Sequence, residues 1–214
     1  MANFYDADEV NRLFEISKGT KLEIPILFGA FYGMRRSETL GMKWDAIDFE
    51  RDTITIRHTL TTVALDGKRI TVAEDRTKNK SSMRTLPLVP FVKERLLELK
   101  AEQEENRRLC GRSYVKDYTG YVCINEIGDI IKPNYVSCGF PKLLEEHGLR
   151  RVRYHDLRHS CASLLLANGV PMKQIQEWLG HSDFSTTANI YAHLEYSSKA
   201  VSYTHLRAHE TSAH

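Results

Sequence analysis

Six residues, far apart in a chain of 214, are of the types that displace a phosphodiester: Arg35, Lys78, His155, Arg158, His181 and Tyr191. In "FYGMRRSETLGMKW", Arg35 follows Gly33 at the start of a predicted helix, where backbone N–H groups and a fixed guanidinium can converge on a phosphate. The same residue could simply pair with Glu38 on the surface, three positions on. "YHDLRHS" sets His155 and Arg158 three apart on one helical face, an imidazole that moves protons near neutral pH beside a bidentate oxyanion clamp. The plain alternative makes His155 a cap and Arg158 a surface ion-pair partner. His159 points elsewhere and reads as structural.

"DRTKNKSSMRT" places Lys78 and Lys80 in a polar turn between strands, where an ammonium can either extend over a ligand or remain solvated. "EWLGHSD" puts His181 just beyond a helix C-terminus, where it could also cap the last carbonyls. Tyr191, in "FSTTANIYAHL", lies ten positions after His181 and is an ordinary helix residue when taken alone. Taken together, the set suits displacement at phosphorus. The arginines would neutralise charge on the nonbridging oxygens, a donor would protonate a leaving 5′ oxygen, and a base would take the tyrosine proton. No acidic cluster with metal spacing occurs in the sequence, which disfavours a metal-assisted nuclease.

These residues need a scaffold. "YDADEVNRLFEIS" predicts an amphipathic helix with Asp6 as N-cap and Glu9 closing a capping box. "LEIPILFGAFYGM" predicts a buried helix that tolerates Pro25 only in its first turn, and "RRSETLGMKWDAI" a short helix with an exposed start. Between Thr53 and Leu88, "TITIRHTLTTVAL", an Asp66–Gly67 turn, "KRITVAEDRT", "KNKSS" and "MRTLPL" predict one three-stranded antiparallel sheet. A long charged helix follows in "PFVKERLLELKAEQEENRRL". The stretch to about Gly128 is mixed, with a strand pair in it, and "KPNYVSCGFPKLLEEHGL" predicts a helix broken at Pro141. Three further helices fall in "HDLRHSCASLLLANGV", "PMKQIQEWLG" and "DFSTTANIYAHLEY", punctuated by Asn168–Gly169, Pro171 and Gly180. The fold class is therefore α+β, mainly α.

Composition sets wider bounds. The net charge of +2 neither demands nor excludes a polyanionic partner. Four scattered cysteines without a C-x-x-C pair read as reduced structural thiols. No run of about eighteen apolar residues appears, and "MANFYDADEV" lacks the basic-then-apolar profile of a secretory signal, so the reading is a cytoplasmic protein with no membrane role. The final "SYTHLRAHETSAH", residues 202–214, breaks the apolar periodicity and reads as a non-native or disordered tail. His205 and His209 have helical spacing there but lack the rest of a four-ligand metal site.

The motifs "YGMRRSETLGMKW", "TKNKSSMRTLPL", "HDLRHSCASLLLANG" and "EWLGHSDFSTTANIYAH", in that order, resemble the catalytic domain of the tyrosine recombinase (phage integrase) family. The resemblance implies a tyrosine recombinase/type IB topoisomerase-like helical domain over residues 1–201 and site-specific DNA recombination through a 3′-phosphotyrosyl intermediate, without metal, ATP or other cofactor. It assigns Arg35 and Arg158 to the scissile phosphate, His181 to the same oxygens, Lys78 as general acid with His155 assisting, and Tyr191 as nucleophile; Glu38 would buttress the first arginine. The implied partners are double-stranded DNA, further copies of the chain as a tetramer on DNA, and accessory DNA-bending proteins. A core-binding domain, which usually precedes this one in the family, is not recognised in the sequence. Two alternatives stand: strand relaxation of the type IB topoisomerase kind, and a non-catalytic helix-turn-helix regulator built on "VPMKQIQEWLGHSDFSTTANIYAHL". A regulator has no use for Arg35, Lys78 and the His155–Arg158 pair.

Overall fold

A computed structural model describes residues 4–65, 68–74 and 83–180 of the chain. Lys78, His181, Tyr191, the third of the predicted C-terminal helices and the tail lie outside the described residues. Those described form seven α-helices and two small antiparallel sheets.

Helix α1 (Ala7–Ser17) starts where the sequence predicts. The Asp6 side chain accepts from Glu9 N–H at 2.9 Å, and Glu9 accepts from Asp6 N–H at 3.0 Å, which satisfies two otherwise orphaned donors. Glu9 also receives Arg150 at 2.9 Å, tying the helix start to the segment that leads into "HDLRHS". Helix α2 (Glu23–Phe31) is buried from Ile24 through Ala30 and packs on α6 (Asp156–Ala167). The Tyr154 hydroxyl donates to Pro25 O at 2.6 Å just before α6 begins, so the phenol finds a partner inside the core.

The strands depart from the predicted arrangement. The first long run divides at Arg57–His58 into β2 (Thr53–Ile56) and β3 (Thr59–Leu65). A three-stranded sheet does form, but from β1 (Ile47–Asp48), β2 and β5 (Arg84–Pro87), in the order β1-β2-β5. Among the described residues, strand β3 pairs with β4 (Lys68–Glu74) as a separate hairpin. At the division both side chains turn to Asp45, which meets Arg57 at 3.2 Å and the buried His58 at 3.3 Å. The register pairs Ile56 with Arg84 and Ile54 with Leu86. Because side chains alternate along a strand, Arg84 points inward with Leu86 while Thr85 faces out.

Helix α3 (Arg36–Gly41) lies between α2 and the β3 hairpin, and α4 (Pro90–Cys110) begins with proline at its first turn, where no N–H is needed. In place of a regular strand pair, the stretch after α4 has a short 3-10 turn at Gly111–Ser113 and isolated bridges of Tyr121 to Lys43 and of Ile124 to Ile130. Helix α5 (Pro133–Glu146) runs unbroken through Pro141, against the predicted break. An internal proline costs a helix about 3 kcal/mol, but Val136, Phe140, Leu143 and Leu144 bury one face on both sides of it, and that burial holds the helix together.

Helix α6 ends at Asn168–Gly169, and α7 (Met172–Leu179) follows Pro171 and closes on Gly180 in the left-handed conformation, as predicted. All four cysteines are free, with Cys123 and Cys161 buried. Among the described residues no helix is long and apolar enough to cross a membrane.

Candidate active site

The site grows from the turn between α2 and α3. Gly33 there has φ +62°, in the left-handed region that favours glycine, and a Cβ on it would stand 2.3 Å from Leu179 Cδ2 and 3.3 Å from Cys161 Sγ. The tight fit brings the start of α3 against α6 and the end of α7. Arg35 is the N-cap of α3. Its backbone N–H donates to Glu38 Oε2 at 2.9 Å and its Nη1 to Glu38 Oε1 at 2.7 Å, so one carboxylate both caps the helix and orients the guanidinium. The i,i+3 pair expected as an alternative to phosphate binding is thus present. It does not use up the residue: Glu38 is 1 % exposed, whereas the Arg35 side chain is 36 % exposed and faces solvent with its remaining donors.

Arg158 is no surface residue. It is 2 % exposed, and its Nη1 and Nη2 donate to Gly33 O and Leu179 O, the latter at 2.5 Å. One guanidinium thereby joins the α2–α3 turn to the C-terminal carbonyls of α7. His155 stands apart from this burial. It is the N-cap of α6, makes no side-chain capping bond, and lies exposed with its ring edge-on to His159 at 5.7 Å. Both residues of the "HDLR" motif reach the site, one from the surface and one from below.

The sequence reading did not single out Arg84. From β5 it donates to Glu38 Oε2 at 3.1 Å and Oε1 at 3.4 Å, and through Nε to Trp178 O at 2.6 Å. The signal was the alternation in "MRTLPL": Arg84 falls in phase with Leu86 and Leu88, both buried, so any strand there had to carry it inward.

Electrostatics follow from this geometry. Burial alone would raise the Glu38 carboxyl, but the Arg84 guanidinium, helped by Arg35, outweighs it and holds the group below its ordinary value. Arg158 is pushed down to about 9 by burial and by Arg35, and remains cationic at neutral pH. Although His155 is at the surface, partial desolvation of its ring against the protein, with His159 and Arg158, lowers it and favours its neutral form. One carboxylate thus stands among three guanidiniums, and the uncompensated positive charge suits an anion arriving beside Arg35. Next to it opens a cleft of about 900 Å³, lined by Arg36, Ser37, Ser137, Arg151, Tyr154 and His155. Arg36 donates to Ser137 Oγ across it. Among the described residues no cluster of His, Cys, Asp and Glu could hold a metal ion.

A family model described as the phage integrase family matches residues 3–198. The chain belongs to the phage integrase family. A tyrosine recombinase XerC-like protein of Caldanaerobacter subterraneus subsp. tengcongensis is 32 % identical over 195 residues, covering 89 % of this chain and 50 % of that protein. The tyrosine recombinase XerA of Thermococcus onnurineus is 32 % identical, covering 84 % and 54 %. The chain therefore spans about half the length of these curated relatives. Its fold is shared with solved structures: the Tn1549 transposon integrase in complex with transposon right end DNA superposes with a TM-score of 0.72 at 20 % identity, covering 95 % of this chain and 66 % of that one. The XerA recombinase crystal structure gives 0.70, also at 20 % identity, covering 95 % and 65 %.

Proposed function

We propose that residues 1–201 form the catalytic domain of a tyrosine recombinase that cuts and rejoins double-stranded DNA at specific sites, with residues 202–214 a tail outside it. The observation that carries the reading is the Arg35–Glu38–Arg84–Arg158 cluster, in which a buried carboxylate orients the partly exposed Arg35 within a net positive site. Arg35 and Arg158 stabilise the charge that builds on the nonbridging oxygens, and His181 hydrogen-bonds the same oxygens. The Tyr191 oxygen attacks phosphorus as a base takes its phenol proton, the bond from phosphorus to the 5′ oxygen breaks, and Lys78 gives that oxygen a proton. His155, favoured in its neutral form, assists the proton transfer. The product is a 3′-phosphotyrosyl bond and a free 5′-hydroxyl. Attack by the 5′-hydroxyl of another strand reverses the chemistry without ATP.

Arg36, Arg151 and the adjoining cleft give the DNA backbone a basic approach to Arg35. A tetramer on DNA and DNA-bending accessory proteins complete the assembly. Type IB relaxation would use the same chemistry, and a topological assay separates the two: recombination joins strands from two duplexes, whereas relaxation reseals one. The helix-turn-helix regulator leaves the buried carboxylate and its arginines without a role.

A nicked suicide duplex carrying the sequences that flank the gene tests the reading. Wild-type protein is expected to give an SDS-resistant adduct, insensitive to EDTA, and Tyr191→Phe none. An adduct formed equally by Tyr191→Phe would remove Tyr191 as nucleophile.

A further inference from the structure

We propose that Arg84 is a positioning residue that holds Arg35 in register with Arg158. Its chemistry rests on the phosphodiester reading above; its geometry does not. At 8 % exposure, Arg84 is set back from the solvent-facing donors of Arg35. All three of its nitrogens donate inward: Nη1 and Nη2 to the Glu38 carboxylate, and Nε to Trp178 O. Trp178 O is one of two consecutive carbonyls at the C-terminus of α7. The other, Leu179 O, accepts from Arg158. Two guanidiniums thus seat side by side on the negative end of one helix, where the backbone carbonyls lack intrahelical partners.

This arrangement gives Arg84 a function distinct from neutralising Glu38. Glu38 fixes Arg35, Arg84 fixes Glu38 and the end of α7 together, and Arg158 reads the next carbonyl of that same helix end. The path from Arg35 to Arg158 therefore runs through Arg84 in four contacts of 2.5–3.4 Å. A lysine keeps the charge but has no planar fork, so it cannot grip both carboxylate oxygens and Trp178 O at once. With that grip lost, Arg35 is left on a carboxylate free to rotate.

The test uses the full chain carrying R84K, R35K and both together. The first readout is the Arg35 guanidinium NMR signal in free protein, expected to be distinct in wild type and averaged toward solvent in R84K, while the Arg158 signal is retained. The second is the rate of covalent adduct formation at saturating suicide DNA. It is expected to fall roughly 10²-fold in R84K, as for a small misplacement of reacting groups, with DNA affinity within about threefold of wild type. The double variant should be no more than about threefold slower than R35K alone, because both changes disable one clamp. An unchanged Arg35 signal in folded R84K, or additive losses in the double variant, overturns the proposal. Absence of adduct in wild type defeats the recombinase reading alone, and the NMR readout then decides the role of Arg84. If R84K does not fold, E38Q/R84M removes both charges and strands neither; a wild-type Arg35 signal in that variant overturns the proposal.

Discussion

Glu38 and Arg84 meet through two contacts, at 3.1 and 3.4 Å, with both residues buried, and from that pair the rest of the site takes its orientation. A carboxylate in such a place would ordinarily be protonated to escape desolvation. Here it is kept charged by guanidiniums on two sides, and the half-exposed one is left directed at solvent.

The first prediction concerns stability and pH. Because Glu38 is held below its free value of 4.5, the folded state binds its proton less readily than the unfolded chain. Its contribution is full above pH 4.5 and lost as pH falls through the lowered native value. Glu38→Gln should destabilise the protein by about 3–5 kcal/mol at pH 7, the usual cost of breaking a buried ion pair. In urea melts the gap to wild type should narrow as pH drops below 4.5; a gap independent of pH would contradict the assignment.

Two glycines provide a second prediction. Gly19 and Gly33 share positive φ, at +74° and +62°, but a Cβ on Gly19 meets nothing within 4 Å while one on Gly33 runs into Leu179 and Cys161. Gly19→Ala should cost only about 1–2 kcal/mol for the left-handed backbone. Gly33→Ala should cost more, since Leu179 must move and its carbonyl is the acceptor of Arg158. Thermal melts of the pair check this, and equal losses would show that Gly33 has only a conformational role.

Helix starts and stops were largely legible in the sequence because capping is local: Asp6–Glu9, Asn168–Gly169, Pro171 and Gly180 each act within a few residues. The strand grouping was not. Where β2 gives way to β3, Arg57 and His58 meet Asp45, a dozen residues upstream, a contact that no local pattern in the strand run records. Pro141 misleads for the same reason, since local propensity loses to the buried face of α5. In the site, residue types grouped Arg35, His155 and Arg158 but did not record their inequality. That Arg158 is buried on two carbonyls and His155 exposed follows from where α2 and α7 pack, which no spacing within "HDLRHS" records.

Arg158 supports a third prediction. Gly33 O and Leu179 O, which accept from its two terminal nitrogens, are main-chain carbonyls on different elements, so lysine can satisfy at most one with comparable geometry. Arg158→Lys should slow adduct formation roughly 10²-fold or more while changing DNA affinity little, because a cation without its carbonyl anchors is misplaced for the charge that builds at the transition state. Gel-shift and single-turnover cleavage measured on the same preparation separate the two effects. Equal losses in binding and cleavage would make Arg158 a binding residue only.

The last prediction uses the lowered His155. Burial, His159 and Arg158 all disfavour its imidazolium, with Asp156 opposing them, so protonation in the folded protein occurs below the free value of 6.5. If the neutral ring assists proton transfer, single-turnover adduct formation should hold steady from pH 8 down to about 6.5 and fall only below the lowered value. His155→Gln should lose roughly 10²-fold in rate at pH 7 and also lose that acid limb, leaving the profile flat there. The same shift links to folding: a histidine neutral in the native state adds stability that is full above pH 6.5 and declines as pH falls through its native value, so the variant should be less acid-sensitive in melts. An acid limb that persists in His155→Gln would move the titration to another group, and His159, lowered in the same direction and in ring contact with His155, is then the residue to replace.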